Sequence, residues 1–326
     1  NPVGTGPYKL VEYVPNNKVV IEANKDYWGP KPKFDKITFR LLREGSTRVA
    51  ALLSGEVDII ANVPFDSMAK IKKNPKTMVK AVPTYRLCYL ALHQKKFEAF
   101  KDKRVRQAFY YGIDRASLVK HIFGGMAKVA EAPLGSGIEY AHPNLPAYEY
   151  NPEKAKKLLA EAGFPDGFKV NIGTPNGRYL KDVDVSTAIA GQLKKIGIQA
   201  TVVPTDWGVF RAERGKGKES KFDLWFGAWG NIVVDADWGL RWLNHSPTLH
   251  GHTDAEIDRL LDEGAASFDK KKAQKIYHDL QAKLWTDAPI ICLYWQPGIY
   301  GVAKDIAAQF EPRPDEFTIL RHRYGD

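Results

Sequence analysis

The sequence is poor in cysteine. Cys88 and Cys292 are the only two in 326 residues, and both sit in apolar runs, Leu87-Cys88-Tyr89-Leu90 and Ile290-Ile291-Cys292-Leu293-Tyr294. Two cysteines cannot staple a small disulfide scaffold, and a chain of this length buries a core without staples. They read as two small buried apolar side chains; spacing alone leaves a disulfide between them open. No run approaches the roughly 20 apolar residues that a membrane-crossing helix needs. The first residues, Asn1-Pro2-Val3-Gly4-Thr5-Gly6-Pro7-Tyr8, show no basic region ahead of an apolar core, which leaves the compartment undecided. Internal repeats and low-complexity segments are also missing.

Catalytic signatures are missing too. There is no G-x-S-x-G elbow, no P-loop, no dinucleotide glycine fingerprint and no H-E-x-x-H. The adjacent pair Gly124-Gly125 follows a predicted helix, whereas a phosphate cradle needs its glycines ahead of one. His245, His250 and His252 could together bind zinc or nickel. Their segment holds Pro247 and Gly251 and no cysteine, so it reads as a polar loop. Asp235 and Asp237 could pair for acid–base work in a hydrolase; neighbouring loop acids read better as surface groups or helix caps. No catalytic residue, metal ligand or cofactor is expected.

What is present is a basic balance, +10 from 48 Lys+Arg against 38 Asp+Glu. Such a balance can serve nucleic acid or an anionic surface. Here the densest runs, Lys154/Lys156/Lys157, Lys194/Lys195 and Lys270-Lys271-Lys272, fall on predicted amphipathic helices. Solvated helix faces explain them, and no nucleic-acid partner is expected.

Elements alternate along the chain. Tyr8–Tyr13, Val19–Ile21 and Ile37–Leu41 read as a meander. A helix capped by Ser46 and closed by Gly55 leads to a strand at Val57–Ile60. A helix at Asp66–Lys73 and a strand at Met78–Val82 follow, and from about Tyr85 the pattern turns to longer helices. Asp114, Asn151-Pro152, Thr253 and Asp269 mark helix starts. Strands at Phe168–Ile172, Gln199–Val203, Phe222–Phe226 and Ile290–Tyr294 interleave with these helices, which indicates an α/β lobe with a mixed sheet. The tail, from about Trp295 to Asp326, reads as irregular with short strands. Five of the eight tryptophans, Trp207, Trp225, Trp229, Trp238 and Trp242, fall in one stretch. Some must be core. Trp229-Gly230-Asn231 follows a predicted strand, where α/β sheets place ligand loops, and aromatic walls suit an organic ligand.

Several segments stand in a fixed order: Gly4-Thr5-Gly6-Pro7-Tyr8, Asn24-Lys25-Asp26-Tyr27-Trp28-Gly29, Leu53-Ser54-Gly55-Glu56-Val57-Asp58, Val105-Arg106-Gln107-Ala108-Phe109 with Ile113-Asp114-Arg115, Asn151-Pro152 through Leu158-Leu159-Ala160-Glu161-Ala162-Gly163-Phe164, Asn176-Gly177-Arg178-Tyr179, and Phe222-Asp223 with Gly227-Ala228-Trp229-Gly230. In this order and at these spacings they resemble solute-binding protein family 5, the periplasmic dipeptide, oligopeptide and nickel receptors of ABC importers. The resemblance implies an α/β fold of the periplasmic-binding-protein-like class II, two lobes with mixed sheets joined by a hinge around a ligand cleft. It places 1–93 and 294–326 in lobe I and 94–293 in lobe III. It also implies that the first part of lobe I and a small intervening domain are absent from this chain.

The function implied is solute capture for an ABC importer, with no chemistry on a peptide or peptide-like ligand. The partners implied are permease subunits in the inner membrane. The receptor would be a monomer, periplasmic or extracytoplasmic and membrane-tethered. By the resemblance, Arg178 would pair with a ligand carboxylate. Dipeptide-binding members carry an aspartate for the ligand's ammonium three residues after the tryptophan matching Trp229; here that position is Ile232. An apolar side chain cannot balance a buried ammonium, which costs several kcal/mol unpaired. Asp235 or Asp237 could substitute, or the solute could be opine-like, an oligosaccharide or a metal chelate. Gly230 and Asn231 beside Trp229, and Tyr85, Arg86 and Tyr89 near the lobe crossover, complete the candidate contacts.

Overall fold

The computed structural model describes residues 4–245 and 252–316. In chain order the elements are β1 (Tyr8–Val14), β2 (Lys18–Ala23), β3 (Lys36–Arg40), α1 (Gly45–Ser54), β4 (Ile59–Ala61), α2 (Met68–Lys73), β5 (Thr77–Leu92), α3 (Lys103–Gly112), α4 (Arg115–Phe123), β6 (Lys128–Val129), α5 (Pro152–Glu161), β7 (Lys169–Pro175), α6 (Asp182–Lys194), β8 (Gln199–Thr205), α7 (Trp207–Gly215), β9 (Leu224–Gly230), α8 (Ala236–His245), α9 (Ala255–Ala265), α10 (Lys270–Asp287) and β10 (Ile290–Ala303). They form two compact units. Among the described residues unit 1 takes 4–82 and 298–313, and unit 2 takes 83–245, 252–297 and 314–316. The chain passes between them inside β5 and inside β10, ten or so residues from the lobe limits expected at 93 and four from those expected at 293.

Unit 1 opens with the expected meander, β1–β2–β3 antiparallel. Tyr13 lies opposite Val19 and Val19 opposite Phe39, while Leu10, Ile21 and Ile37 align two residues along. Because side chains alternate along a strand, these six make one apolar face. The other face carries the Lys18–Glu12 and Lys36–Glu22 ion pairs. Gly55 ends α1 with φ 79°, a conformation that glycine adopts without a side-chain penalty. The N-cap of α1 is Glu44 rather than Ser46, which lies inside the helix. Tyr300, Val302 and Phe310 pack with Ile59, Met78 and Val82 as the core.

Unit 2 is built on a mixed sheet ordered β10-β5-β9-β7-β8, with β6 beside β10. β7 runs parallel to β8 and to β9, and β5 runs antiparallel to β9. The connections β7–α6–β8 and β8–α7–β9 supply the crossovers that parallel strands require. Three expected caps form: Asp114 accepts from Ser117 N–H, Asn151 from Lys154 N–H ahead of Pro152 in the first turn, and Asp269 from Lys271 and Lys272 N–H. At α9 the cap is Asp254, one residue beyond Thr253. Trp225, Phe226, Phe222, Phe210 and Phe100 are fully buried. Burying rings of this size contributes roughly 25 cal/mol per Å² of apolar surface.

Three strands run past their sequence-expected ends. β5 continues to Leu92, β9 to Gly230 and β10 through Pro297 to Ala303. Their partners decide this: Leu87 pairs with Trp229 and Arg86 with Gly230, so Trp229 and Gly230 lie in the strand and not in the loop after it. Cys88 and Cys292 are both free and buried, which answers the open disulfide question.

Candidate ligand-binding site

The C-terminal ends of β7 and β8 lead into the segments that carry Arg178 and Trp207. Open α/β sheets place ligand loops at such ends. The segment before α6 is organised by Asp182, a buried carboxylate that accepts from four backbone N–H groups. These are Gly177 (3.1 Å), Arg178 (2.9 Å), Tyr179 (3.0 Å) and Val183 (3.0 Å). Burial works to raise its carboxyl above the usual range, and those N–H groups work against it. Gly177 at φ 78° makes the turn possible. Leu180 N–H donates to Gln296 Oε1 at 3.3 Å and Tyr179 OH donates to the Ala228 carbonyl at 3.3 Å, so the segment is tied to β10 and β9.

Arg178 is exposed on this rigid turn. Its guanidinium carbon lies 5.1 Å from the Trp207 ring centroid and 5.4 Å from that of Tyr179. Among the described residues no carboxylate pairs with it. Cation–π contacts of this kind contribute about 0.5–1 kcal/mol and restrict the side chain. The result is a pre-positioned planar cation with donor edges free for a carboxylate.

Trp229 is half-buried on β9. Its ring stacks on Trp242 at 4.9 Å and 20° and leans on Trp238 at 5.8 Å, and Tyr89 packs on Trp242 from β5 at 4.9 Å. By strand alternation Trp229 and Tyr89 share one face of the β5–β9 ladder, and Arg86, Cys88 and Phe226 share the other. Tyr179 meets Phe226 edge-on at 5.9 Å on that second face. No contact joins Arg178 to Trp229 among the described residues; the sheet separates their aromatic neighbourhoods.

The segment after β9 is closed by its own polar groups. Asn231 is buried; its Nδ2 donates to the Asp235 carbonyl (2.9 Å) and its Oδ1 accepts from Asp235 N–H (3.3 Å). Val234 sits at φ 58°, a left-handed conformation that costs a β-branched residue of order 1 kcal/mol or more. Ile232 and Val233 are left exposed, 40% and 58%. Asp235 Oδ1 accepts from Trp238 N–H at 2.9 Å and caps α8, and Asp237 pairs with Arg241 at 2.7 Å. Both carboxylates are thus engaged within unit 2.

The remaining expected contacts divide as follows. Tyr85 is half-buried; its N–H donates to the Pro314 carbonyl and its carbonyl accepts from Asn231 N–H. Arg86 is clasped by Glu316, Nε to Oε1 at 3.0 Å and Nη2 to Oε2 at 2.5 Å. A Cβ on Gly230 would approach Arg86 Nη2 at 3.1 Å, so glycine leaves that pair room. Tyr89 is buried, and burial pushes its phenol well above the usual range. Sequence reasoning held Trp207 only as one of five clustered tryptophans and Tyr179 only as part of a family segment, without pairing either with Arg178, and missed Asp182 and Glu316. Asp182, at the start of a predicted helix just after Asn176-Gly177, carried a turn signal; the other three are brought in by tertiary packing.

Of the three histidines, the side chain of His245 and the whole of His250 lie outside the described residues. His252 is buried with Nδ1 3.3 Å from Gln94 Oε1. Among the described residues no group of three or more His, Cys, Asp or Glu could hold a metal ion, and no helix is long and apolar enough to cross a membrane.

The mixed sheet with crossover helices belongs to the periplasmic-binding-protein-like class II fold. The chain is similar to the periplasmic binding protein DppA of Helicobacter pylori in complex with peptide STSA. TM-score is 0.84 at 26% identity over 98% of this chain and 62% of that one. It is also similar to the binding protein AgaA of A. tumefaciens R10 in complex with agropinic acid, with TM-score 0.79 and 29% identity over 92% of this chain and 62% of that one. The pattern of the bacterial extracellular solute-binding proteins, family 5 (middle part), matches residues 1–250, and the chain belongs to that family. Among curated relatives, glutathione-binding protein GsiB of Pectobacterium atrosepticum is 32% identical over 303 residues, 90% of this chain and 58% of that protein. GsiB of Escherichia coli K12 is 32% identical over 302 residues. The chain spans about three fifths of the length of these relatives.

Proposed function

We propose that the protein is the substrate-binding component of an ABC importer, taking up a peptide or peptide-like organic solute through a carboxylate and passing it unaltered to permease subunits. The observation that carries this reading is Arg178. Inside a member of a solute-binding family, it is an exposed guanidinium held over Trp207 and Tyr179, on a turn fixed by Asp182, with no carboxylate paired to it among the described residues. A charged hydrogen-bonding edge prepared in this way serves an anionic group from outside the chain. The acids around this segment support a second element: among the described residues Asp237 and Glu316 are each paired with an arginine and Asp235 already caps α8, so a ligand ammonium near the Ile232–Val233 tip would have to compete for an acid in use. An acidic solute with a blocked or absent amine, including an opine-like compound, therefore fits unit 2 at least as well as a free peptide. The setting proposed is the periplasm, with the receptor acting as a monomer.

Thermal-shift assays with glutathione, the peptide STSA and agropinic acid test the reading, followed by recovery of the ligand. Stabilisation by one of them with the ligand recovered intact is expected, since a ligand at 100 times its Kd adds about 2.7 kcal/mol. Turnover of a stabilising ligand that disappears in Asp235→Asn would favour a hydrolase instead.

A further inference from the structure

We propose that unit 2 contains a second small-molecule site, a cavity that takes a monocarboxylate with an aromatic or aliphatic body, its carboxylate seated on Arg115. The cavity measures about 850 Å³ and is lined by unit 2 residues alone. That size lies within the ~300–1,000 Å³ of small-molecule sites. Its apolar walls include Tyr148, Trp285, Trp295 and Leu134. Of the candidate cargo contacts only Tyr85 borders it.

Arg115 supplies the polar end. It is 7% exposed, and its guanidinium carbon lies 5.2 Å from the Tyr110 ring and 5.8 Å from the Trp285 ring. Nη1 donates to the carbonyls of Ala130 (2.6 Å) and Cys292 (3.3 Å), and Nη2 to that of Tyr148 (2.9 Å). Carbonyls orient a cation but bring no net charge. Among the described residues no carboxylate pairs with this guanidinium, although a buried charge ordinarily has a counter-charge. Arg106 makes the contrast. It is as buried and also binds three carbonyls, but it does not line the cavity, and the carboxylates of Asp287 and Asp102 act on it.

The other charged groups of the lining limit the ligand to one negative charge. Asp114 caps α4 through Ser117 N–H, while Glu131 and Glu149 are exposed and would repel a second anionic group. Lys128 is exposed, and His142 is held towards its neutral form by burial and by the neighbouring His278.

Saturation-transfer NMR on the whole chain tests the site, using phenylacetate and hexanoate, each beside its neutral amide. At least one acid should bind about tenfold more tightly than its amide, and Arg115→Gln should remove that preference. Because Arg115 also ties three carbonyls, its loss can unfold unit 2. Ala147→Trp is the second variant; at an exposed lining position it fills the cavity without removing a buried contact. It should block the acids, leave the melting temperature unchanged, and leave stabilisation by glutathione, peptide STSA or agropinic acid as in the parent. Three results overturn the proposal: acids and amides binding alike or not at all at about 10 mM, acid binding that survives Ala147→Trp, or loss of the response to the cargo solutes in that variant, which would make the cavity the cargo site. Absence of any response to the cargo solutes in the parent protein would count against the importer reading alone.

Discussion

Replacing Asp182 with alanine should loosen the turn that presents Arg178 while leaving Arg178 itself in place. Four backbone N–H groups lose their acceptor. Gly177 and Arg178 are exposed, so water can satisfy theirs; Tyr179 is 8% exposed and Val183 half-buried, so theirs stay unmet. Two unsatisfied buried donors at ~1–3 kcal/mol each, lowered by local relaxation, give a loss of about 3 kcal/mol. In a domain the size of unit 2 each kcal/mol shifts Tm by roughly 2–4 °C, so calorimetry should record a fall of about 6–12 °C. Asp182→Asn keeps one acceptor oxygen and removes a buried charge, and should lose about half as much. Solute affinity should fall in the alanine variant, because the guanidinium is no longer fixed over Trp207 and Tyr179. A Tm within about 2 °C of the parent together with unchanged affinity would refute the role given to Asp182.

Other consequences follow from the same packing. Trp229→Ala removes a ring stacked on Trp242 and should cost about 3 kcal/mol in chemical denaturation; a loss under about 1 kcal/mol would mean the stack contributes little. Burial lowers His252 to about 4 from the usual 6.5. The stability this gives is complete above pH 6.5 and is lost as pH falls through the native value, to a limit of about 3 kcal/mol. Melts between pH 7 and pH 4 should show that slope and His252→Gln should flatten it; equal slopes would contradict it. Burial pushes the thiols of Cys88 up to about 12 and of Cys292 to about 11. Neither should react with a thiol reagent at pH 8 until the protein is unfolded; fast labelling of the native chain would refute that burial.

Local signals were readable where the chemistry is local. Asp114, Asn151-Pro152 and Asp269 cap helices because a short acceptor precedes an amphipathic run, and Gly55 turns left-handed where the run ends. Asp254 displaced Thr253 because either can accept from the first-turn N–H groups and only the backbone entry angle chooses between them. The mixed sheet followed from alternating elements. The ends of β5, β9 and β10 did not, because Trp229 and Gly230 become strand through pairing with Leu87 and Arg86, residues about 140 positions away. The same holds for the site. Arg178 was legible as a cation after a turn, but Trp207 beneath it comes from a different crossover. Asn231 and Asp235 looked like ligand groups in the sequence, yet the Asn231 amide is taken up by the Asp235 backbone and the Asp235 carboxylate caps α8; a self-bridged loop and an open one share the same residues. That Trp229 and Tyr179 fall on opposite faces depends on strand register, which one residue of slip would reverse.

Calorimetric titration of the parent chain and of Arg178→Ala with glutathione, peptide STSA and agropinic acid bears most directly on the central claim. At least one should bind the parent, and that binding should weaken by about 30-fold or more in the variant, the roughly 2 kcal/mol or above of a charged bidentate contact. Equal affinity for the two proteins, or heat from conversion of the solute in place of binding, would contradict the account.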